Sequence, residues 1–198
     1  MKVNEEKIIE VAHRLFKQYG VRETNLQQVA QLSCLNLRDI KIILKSKKDL
    51  MFAVIKQTLN REIIYLLINS SLSSSAVTEL DNFFRFTEDT ITDFGPEILT
   101  ELRRFHPLAL NQIREIIDNK LIPYLQRIIV RGLSEGFYRD DFDQDLYIPS
   151  YIYVLFSVLE NKSYDWAQTK RMINHINDIF LHGVLNAKGM RIYVQGKI

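Results

Sequence analysis

The stretch NLRDIKIILKSKKDL, residues 36–50, places basic side chains around a run of aliphatic ones. The five basic residues are Arg38, Lys41, Lys45, Lys47 and Lys48. At helical spacing Leu37, Ile40 and Leu44 fall on one side of a helix, and the first three basic residues fall on the other. Lys and Arg side chains and the amides of a helix N-terminus are the groups that phosphate oxygens prefer. The stretch therefore predicts a short helix whose cationic side is either simply solvated or lies against a polyanion.

Helix-start signals on both sides of this stretch divide the N-terminal third of the chain into short helices. Thr24–Gln27 has the form of a capping box, Ser46–Asp49 has the same form with a carboxylate, and Asn36 is a third N-cap. Each cap is worth about 1 kcal/mol, and together they predict helix starts near residues 25, 37 and 47. The apolar periodicity before them predicts a supporting helix that ends at Gly20. Two short helices joined by a turn and braced by a third are typical of a helix-turn-helix.

The remainder of the chain keeps the helical period and shows no alternating strand pattern. A long helix is predicted to close at Gly95, and Pro96 suits the first turn of the next helix. Pro107 begins a further helix, which Pro123 is expected to kink. Two final helices follow, and the tail over residues 187–198 alternates weakly and could be extended. The predicted fold class is all-α.

Charge and cysteine content narrow the class of protein. The formal net charge is +2, but residues 1–50 hold ten Lys and Arg against six Asp and Glu, so the positive excess lies at the N-terminal end. Cys34 is the single cysteine, which excludes an internal disulfide and is compatible with a reducing compartment. The N-terminus lacks the apolar region of a signal peptide, and the apolar runs are too short for a membrane span. We expect a cytoplasmic protein with no membrane partner.

Sequence patterns of catalytic and metal sites are lacking. The chain has no Gly-rich phosphate loop, serine elbow or His-Glu metal helix, so we expect neither an enzyme nor a bound cofactor. The aspartates within residues 140–145 lie in a predicted turn, where capping a helix is their simplest role. His175 and His182 are seven residues apart, and two imidazoles alone are a weak zinc signal. No metal site is expected.

Aromatic side chains are concentrated after residue 50, where ten of the eleven Phe and eight of the nine Tyr are found. Phe83, Phe84 and Phe86 cannot share one helix face, so at least one of them is expected to face elsewhere. An apolar cavity with a few polar groups is typical of small-molecule sites, whereas plain core packing explains the same residues. Arg103 and Arg104 either serve an anionic ligand or are solvated. The residues expected to line a pocket are Phe83, Phe86, Phe105, His106, Tyr124 and Tyr151.

Two wide apolar stripes near the end of the chain exceed what one small core needs. They fall on the last two long helices that the periodicity predicts. A four-helix interface made from two copies of the chain would cover them, since large exposed apolar patches otherwise favour aggregation. The sequence therefore predicts a homodimer, with its interface expected at Ile152, Leu155, Phe156, Leu159, Ile176, Ile179, Phe180 and Val184.

The N-terminal pattern resembles the DNA-binding part of TetR-family transcriptional regulators, without a gap over residues 8–55. The order of features also fits: a helix ended by Gly, a Thr-capped helix, a short recognition helix, and Ser-Lys-x-acid-Leu opening a long helix. Residues 132–146 resemble, more loosely, the turn before the penultimate helix of that family's regulatory domain. The matching positions are Ala12, Leu15, Phe16, Gly20, Thr24, Val29, Ala30, Leu35, Ile40, Leu44, Ser46, Lys47, Asp49 and Leu50.

The resemblance implies a homodimer of two-domain subunits, with a helix-turn-helix head over residues 1–46 and a larger ligand-binding and dimerisation domain over residues 47–198. Such a protein is a ligand-responsive transcriptional regulator, here expected to be a repressor. It would bind a double-stranded DNA operator and release it when an unknown small molecule binds. The DNA backbone would be contacted by Thr24, Asn25, Gln27, Lys45 and Lys47. The groove would be entered by Asn36, Leu37, Arg38, Lys41 and Ile42.

The head departs from the family pattern in its turn and in its recognition helix. Cys34 stands where the family usually has Gly, and Cys has no special tolerance for a positive φ. Arg38 and Lys41 stand where small residues and an aromatic are usual. Of Ile42 and Ile43, one is expected to point at solvent or DNA, where it could contact a thymine methyl. These departures leave an alternative open: a helical small-molecule-binding dimer whose head has lost DNA recognition.

Overall fold

The computed structural model of the chain describes residues 2–105 and 107–196, without the side chains of residues 2, 3, 97, 105, 107–110 and 112. Within these ranges the chain forms ten α-helices and one π-helical turn, and its only strand-like pairing is an isolated bridge between Tyr138 and Leu185. The all-α class is confirmed. None of the described helices is both long and apolar enough to cross a membrane. The elements are α1 (Lys2–Tyr19), α2 (Leu26–Ser33), α3 (Leu37–Ile43), α4 (Lys47–Leu72), α5 (Ala76–Phe105), α6 (Pro107–Ile116), a π-helical turn (Ile117–Leu121), α7 (Ile122–Ser134), α8 (Gln144–Glu160), α9 (Trp166–Val184) and α10 (Ala187–Gln195).

The start of α2 is set by a capping box formed by Asn25 and Gln28. The Asn25 side chain accepts a hydrogen bond from Gln28 N at 2.9 Å, and Gln28 Oε1 accepts one from Asn25 N at 2.8 Å. The prediction of a box at Thr24 and Gln27 is therefore wrong by one residue. The Thr24 hydroxyl donates to Gly20 O instead, at 2.9 Å, and so holds the turn between α1 and α2.

The starts of α3 and α4 agree with the predicted caps. Ser46 Oγ accepts a hydrogen bond from Asp49 N at 3.1 Å, which caps α4. Asn36 occupies the N-cap position of α3, although its side chain makes no capping hydrogen bond. The short α3 therefore depends on packing more than on its cap, because short helices are marginal by themselves.

Helix α5 is the central element and packs against α1, α4, α6, α7, α8, α9 and α10. It is interrupted at Gly95, as predicted, with φ 71° and ψ 169°, a conformation open essentially to glycine alone. Pro96 follows, and a proline disfavours the helical conformation in the residue before it. The interruption changes the direction of α5 beside the N-terminal helices.

The three phenylalanines of α5 face different sides of the helix, but every one of them is buried. The Phe83 ring stacks on Tyr124 of α7, with ring centroids 6.0 Å apart. The Phe84 ring meets Phe180 of α9 edge to face, at 6.3 Å. Because neighbouring helices cover α5 on several sides, three closely spaced aromatic residues can all belong to the interior.

The segment between α6 and α7 contains the distortion that was expected at Pro123. Pro123 lies in the first turn of α7, directly after the π-helical turn. Proline has no amide hydrogen and its ring clashes with the carbonyl one turn earlier, so the preceding turn cannot be regular.

The C-terminal tail forms helix α10, so the prediction of an extended tail is wrong. Asn186 caps this helix, and its side chain accepts hydrogen bonds from Lys188 N and Gly189 N at 2.9 and 3.0 Å. Gly189 lets α10 approach the segment between α7 and α8 closely, because a Cβ at this position would lie 2.3 Å from Phe137 O. A tertiary contact thus decides a conformation that the weak periodicity left open.

Two hydrophobic clusters fill the interior, and α5 contributes to both. The head cluster joins the apolar sides of α1, α2, α3 and the first half of α4 to Phe94, Ile98 and Leu102 of α5, with Ile113 and Phe156 beside them. The C-terminal cluster joins the first half of α5 to α7, α8 and α9. Both clusters therefore take residues from α5, mainly from opposite sides of its interruption at Gly95.

Arg103 is buried near the end of α5, so neither role considered for it, ligand binding or solvation, is correct. Its guanidinium donates to Leu159 O at 2.6 Å, Val158 O at 2.9 Å and Tyr164 O at 3.0 Å, and to Thr169 Oγ1 at 2.9 Å. Two of these carbonyls belong to the last turn of α8, where the usual donor one turn later is lacking, although Val158 O also accepts from Asn161 N at 3.3 Å. Burial lowers the pKa of Arg103.

We predict that Arg103→Met lowers the free energy of unfolding by about 2–4 kcal/mol, because it removes the four hydrogen bonds that the buried guanidinium donates to three carbonyls and one hydroxyl. Chemical denaturation followed by circular dichroism measures the change. Arg104→Met is the control, since Arg104 is exposed and its loss should change stability by no more than about 0.5 kcal/mol. Equal effects of the two substitutions would contradict the capping role.

Candidate functional site

Helices α2 and α3 are joined by a tight turn at Cys34. Cys34 has φ 57° and ψ 37°, in the left-handed region that glycine adopts most readily. Its amide donates to Gln31 O at 3.2 Å, and the amide of Leu35 donates to Ala30 O at 3.0 Å, which closes the end of α2. Ile40 of α3 is completely buried in the head cluster. The turn and this one contact fix the orientation of α3.

The outward side of α3 and the turn that follows it carry the cationic residues predicted for this stretch. Arg38, Lys41 and Lys45 are exposed, whereas Ile40 and Leu44 are buried. Ile42 is 70% exposed, and Ile43 is half-buried against the head cluster, so Ile42 is the isoleucine that points outward. The result is a short basic surface with one apolar side chain at its centre.

Three of the residues predicted to contact DNA are buried, partly buried or already hydrogen-bonded within the chain. Thr24 is buried, with 2% of its surface exposed, and cannot reach a DNA backbone. Leu37 is half-buried and packs against the head cluster. Lys47 donates from Nζ to Arg22 O at 2.6 Å, and burial lowers its pKa. The exposed members of the predicted set are Asn25, Gln27, Asn36, Arg38, Lys41, Ile42 and Lys45.

A cavity of about 70 Å³ lies where the two hydrophobic clusters meet. Four of its wall residues, Leu59, Phe94, Ile113 and Phe156, belong to the head cluster. The other buried apolar wall residues belong to the C-terminal cluster. The described lining consists of Leu59, Phe83, Phe86, Thr87, Thr90, Ile91, Phe94, Ile113, Ile117, Leu121, Ile152, Leu155, Phe156, Leu159 and Ile173.

The residues predicted to line a pocket lie in different places. Phe83 and Phe86 line this cavity. Tyr151 is not among its described lining residues, and its hydroxyl donates to Asn177 Oδ1 at 2.7 Å. Tyr124 lines a separate pocket beside α4, and burial raises its pKa to about 12. The Phe105 side chain and His106 lie outside the described residues.

Asp93 ties the head to the wall of the cavity. It lies on α5 next to Phe94, and its carboxylate accepts a hydrogen bond from Lys17 of α1 at 3.0 Å. Arg61 of α4 also pairs with this carboxylate, and His13 Nε2 lies 3.8 Å from it. Burial alone would raise the pKa of Asp93, but the bond from Lys17 and the surrounding positive charges outweigh it and lower the pKa. One carboxylate therefore connects α1, α4 and α5.

Most of the residues predicted for a dimer interface face the interior of this chain. Ile152, Phe156, Ile176, Phe180 and Val184 are buried, and Leu155 and Leu159 line the cavity. Only Ile179 of that set is exposed, at 57%. The large apolar side chains exposed on α8 and α9 are instead Leu146, Tyr153, Val154 and Ile179. The apolar stripes used for the prediction are thus mainly the core-facing sides of the two helices.

The other candidate groups cap a helix, pair within their own helix, or lack the neighbours that a metal site needs. Asp143 caps α8 by accepting a hydrogen bond from Asp145 N at 2.9 Å, as expected for an aspartate in this turn. His182 interacts with Asp178 on its own helix. Within the described ranges, no group of three or more His, Cys, Asp or Glu residues is arranged to hold a metal ion.

Solved structures with the same fold are transcriptional regulators. The chain superposes on a transcriptional regulator from Cytophaga hutchinsonii with a TM-score of 0.76 at 14% identity, over 91% of this chain and 98% of that one. A TetR-family transcriptional regulator from Agrobacterium tumefaciens gives 0.65 at 13% identity, over 93% and 99%. The regulator FadR from Bacillus subtilis, in complex with stearoyl-CoA, gives 0.65 at 16% identity, over 90% and 98%. No protein-family model and no curated protein matches the sequence. The chain thus has the all-helical fold of TetR-family structures, which confirms the fold that the resemblance implied.

We predict that Asp93→Asn lowers the free energy of unfolding at pH 7 by about 1–2 kcal/mol, because it weakens several charge-assisted contacts of a partly buried carboxylate. The folded-state pKa of Asp93 is lowered, so its contribution is present above its unfolded pKa of about 3.9 and is lost as the pH falls through the folded value. Denaturant titrations of both proteins at pH 7 and below pH 4 measure this difference.

The control is Asp89→Asn, one turn earlier on α5, where the carboxylate is exposed. It should change stability little at either pH. A stability gap between wild type and Asp93→Asn that persists undiminished below pH 4 would contradict the ion-pair account.

Proposed function

We propose that the chain is a ligand-responsive transcriptional regulator of the TetR family, which binds operator DNA as a homodimer and acts as a repressor. The head would comprise residues 1–46, and residues 47–198 would bind the ligand and form the dimer. The observation that carries the proposal is the exposed basic side of α3, held in place by a buried Ile40 on the opposite side. The shared fold with transcriptional regulators supports it.

The basic side of α3 has the chemistry that DNA binding requires. Arg38, Lys41 and Lys45 would contact phosphates or base edges, and Asn25 and Gln27 at the start of α2 would contact the backbone. Ile42 would meet a thymine methyl in the major groove. Two heads about 34 Å apart would suit successive major grooves on one side of a duplex.

The position of the cavity would allow a bound ligand to change the fit of the head to DNA. A space of about 70 Å³ is small beside an engineered cavity of about 150 Å³ that binds benzene in another protein, so a larger ligand must move the walls. Leu59 is one of those walls, and it lies on α4, which starts three residues after α3 ends. Phe94 is another, beside the Asp93 contacts to α1. Separation of α4 from α5 would therefore move the head and reduce its fit to the operator.

The second copy of the chain would pack on the outward sides of α8 and α9. Tyr153 is 68% exposed there, next to Val154, and Ile179 lies on the outward side of α9. Paired helices of this kind bury their apolar sides in a symmetric four-helix interface. The proposal therefore keeps the predicted helices but moves the interface to their solvent-facing residues.

A second candidate is a small-molecule-binding dimer whose head no longer recognises DNA. Two features favour it: the exposure of Ile42, and a cysteine rather than a glycine in the left-handed turn at position 34. A gel-shift assay with the duplex from the protein's own upstream region separates the two candidates, because only the regulator should retard it.

We predict that Lys41→Ala weakens binding to that duplex and makes it less dependent on salt. The slope of log affinity against log salt concentration should fall by about one unit for each phosphate that the protein no longer neutralises, hence by about two for a dimer. Fluorescence anisotropy at several salt concentrations measures the slope.

Lys162→Ala is the matched control, because Lys162 is an exposed lysine between α8 and α9. It should leave both affinity and slope unchanged. If wild-type binding shows no salt dependence, the assignment of Arg38, Lys41 and Lys45 to DNA fails.

We also predict that Tyr153→Glu combined with Ile179→Glu converts the dimer to a folded monomer, because two carboxylates would be buried without partners in each half of the interface. Multi-angle light scattering measures the mass, and circular dichroism checks the fold. The comparison variant is Ile64→Glu with Ile68→Glu, on an exposed apolar side of α4. It should remain dimeric, and the reverse pattern would place the interface on α4.

A further inference from the structure

Thr90 lines the cavity with apolar atoms, and its buried hydroxyl lies behind that surface, where a ligand reaches it only once the walls have moved. Thr90 lies on α5 with 6% of its surface exposed, and Oγ1 has no hydrogen-bond partner in the described part of the chain. A threonine within a helix commonly donates to a carbonyl one turn earlier, which Thr90 does not do. A buried hydroxyl without a partner is destabilising, so a role in binding would account for its presence.

The hydroxyl of Thr87, which lines the same cavity one turn earlier, has hydrogen-bond partners. Thr87 Oγ1 donates to Phe84 O at 2.7 Å and accepts from Asn177 Nδ2 at 3.1 Å. Its donor is therefore in use, whereas the Thr90 hydroxyl has both its donor and its acceptor capacity free within the described residues. The two threonines form a matched pair for experiment.

The remainder of the described lining is hydrocarbon, and none of these residues carries a formal charge. An ionised group placed there would lose its hydration without gaining a counter-charge, which is strongly unfavourable. Aromatic side chains, among them Phe83, Phe86 and Phe156, supply flat apolar surface on several sides. The cavity thus suits an uncharged, mainly hydrocarbon molecule.

We propose that the Thr90 hydroxyl is the polar anchor of the ligand site, and that the ligand is an uncharged, mainly hydrocarbon molecule with one hydrogen-bonding oxygen, such as an alcohol, a phenol or a ketone. Because a hydroxyl both donates and accepts, Thr90 serves either a ligand hydroxyl or a ligand carbonyl. This inference rests on the part of the proposed function that assigns a ligand to the cavity. It adds the class of that ligand and the residue that selects it.

The test compares three probes of similar size: benzyl alcohol, toluene and benzoate. Wild type and Thr90→Val, which replaces the hydroxyl by a methyl group, are titrated with each probe and followed by NMR or calorimetry. Thr90→Val should weaken binding of benzyl alcohol about 5- to 10-fold and leave toluene binding equal or tighter. Benzoate should not bind either protein. The unliganded variant should melt at a higher temperature than wild type, since an unpartnered buried hydroxyl has been removed.

Thr87→Val is the control. It should lower the melting temperature, because Asn177 loses its acceptor, without the selective loss of benzyl alcohol. The proposal is overturned if Thr90→Val leaves benzyl alcohol binding unchanged, if benzoate binds as tightly as benzyl alcohol, or if wild type binds neither uncharged probe. A lower melting temperature of unliganded Thr90→Val would overturn the premise that the hydroxyl lacks a partner.

Probe binding is measured without DNA, so its outcome does not depend on the gel shift. The ligand site and the DNA-binding function are therefore tested separately. Thr90-dependent binding of benzyl alcohol together with a failed gel shift would retain the ligand site and reject the regulator. A salt-dependent gel shift without probe binding would do the opposite.

Discussion

The contact of α5 with both hydrophobic clusters is the constraint on which the rest of the structure depends. Its first half packs into the C-terminal cluster, and the stretch around and beyond Gly95 supplies Phe94, Ile98 and Leu102 to the head cluster. The two segments of α5 join at Gly95, and protein interiors are close-packed, so a shift of one segment disturbs the packing at this junction. The Asp93 ion pairs to α1 and α4 reinforce this link where the two clusters meet.

Helix α3 illustrates how little of the N-terminal part of the chain is stable by itself. Helix α3 has seven residues, and a helix of that length is marginal in water. It persists because Ile40 is buried against the head cluster and because the Cys34 turn closes the preceding helix. The basic residues can therefore be presented in a fixed orientation without contributing to the packing themselves.

Two surfaces of opposite chemistry lie on different helices of the same chain. The outward side of α3 is cationic and exposed, whereas the cavity between α4, α5, α6 and α8 is apolar and small. A ligand shifts a conformational equilibrium only by the difference in its affinity for the two states. A cavity smaller than its ligand provides that difference, since the ligand fits only the state in which the walls have moved.

The sequence by itself determined the features that depend on neighbouring residues. The helix starts near residues 25 and 47, the interruption at Gly95 and the Asp143 cap follow from capping groups and from the φ preferences of Gly and Pro, which act over a single turn. Asn36 also marked the start near residue 37, although its side chain makes no capping hydrogen bond there. The basic outward side of α3 follows from helical spacing in the same way. Only the tertiary structure decided which element each apolar side faces. Periodicity marks Ile152 and Phe180 as apolar-side residues, yet it cannot tell a core from a dimer interface, because both bury the same kind of side chain. Tertiary contacts likewise made Arg103 a cap for a helix that lies more than fifty residues away in sequence, made the tail helical against Phe137, and placed Thr90 beside a cavity.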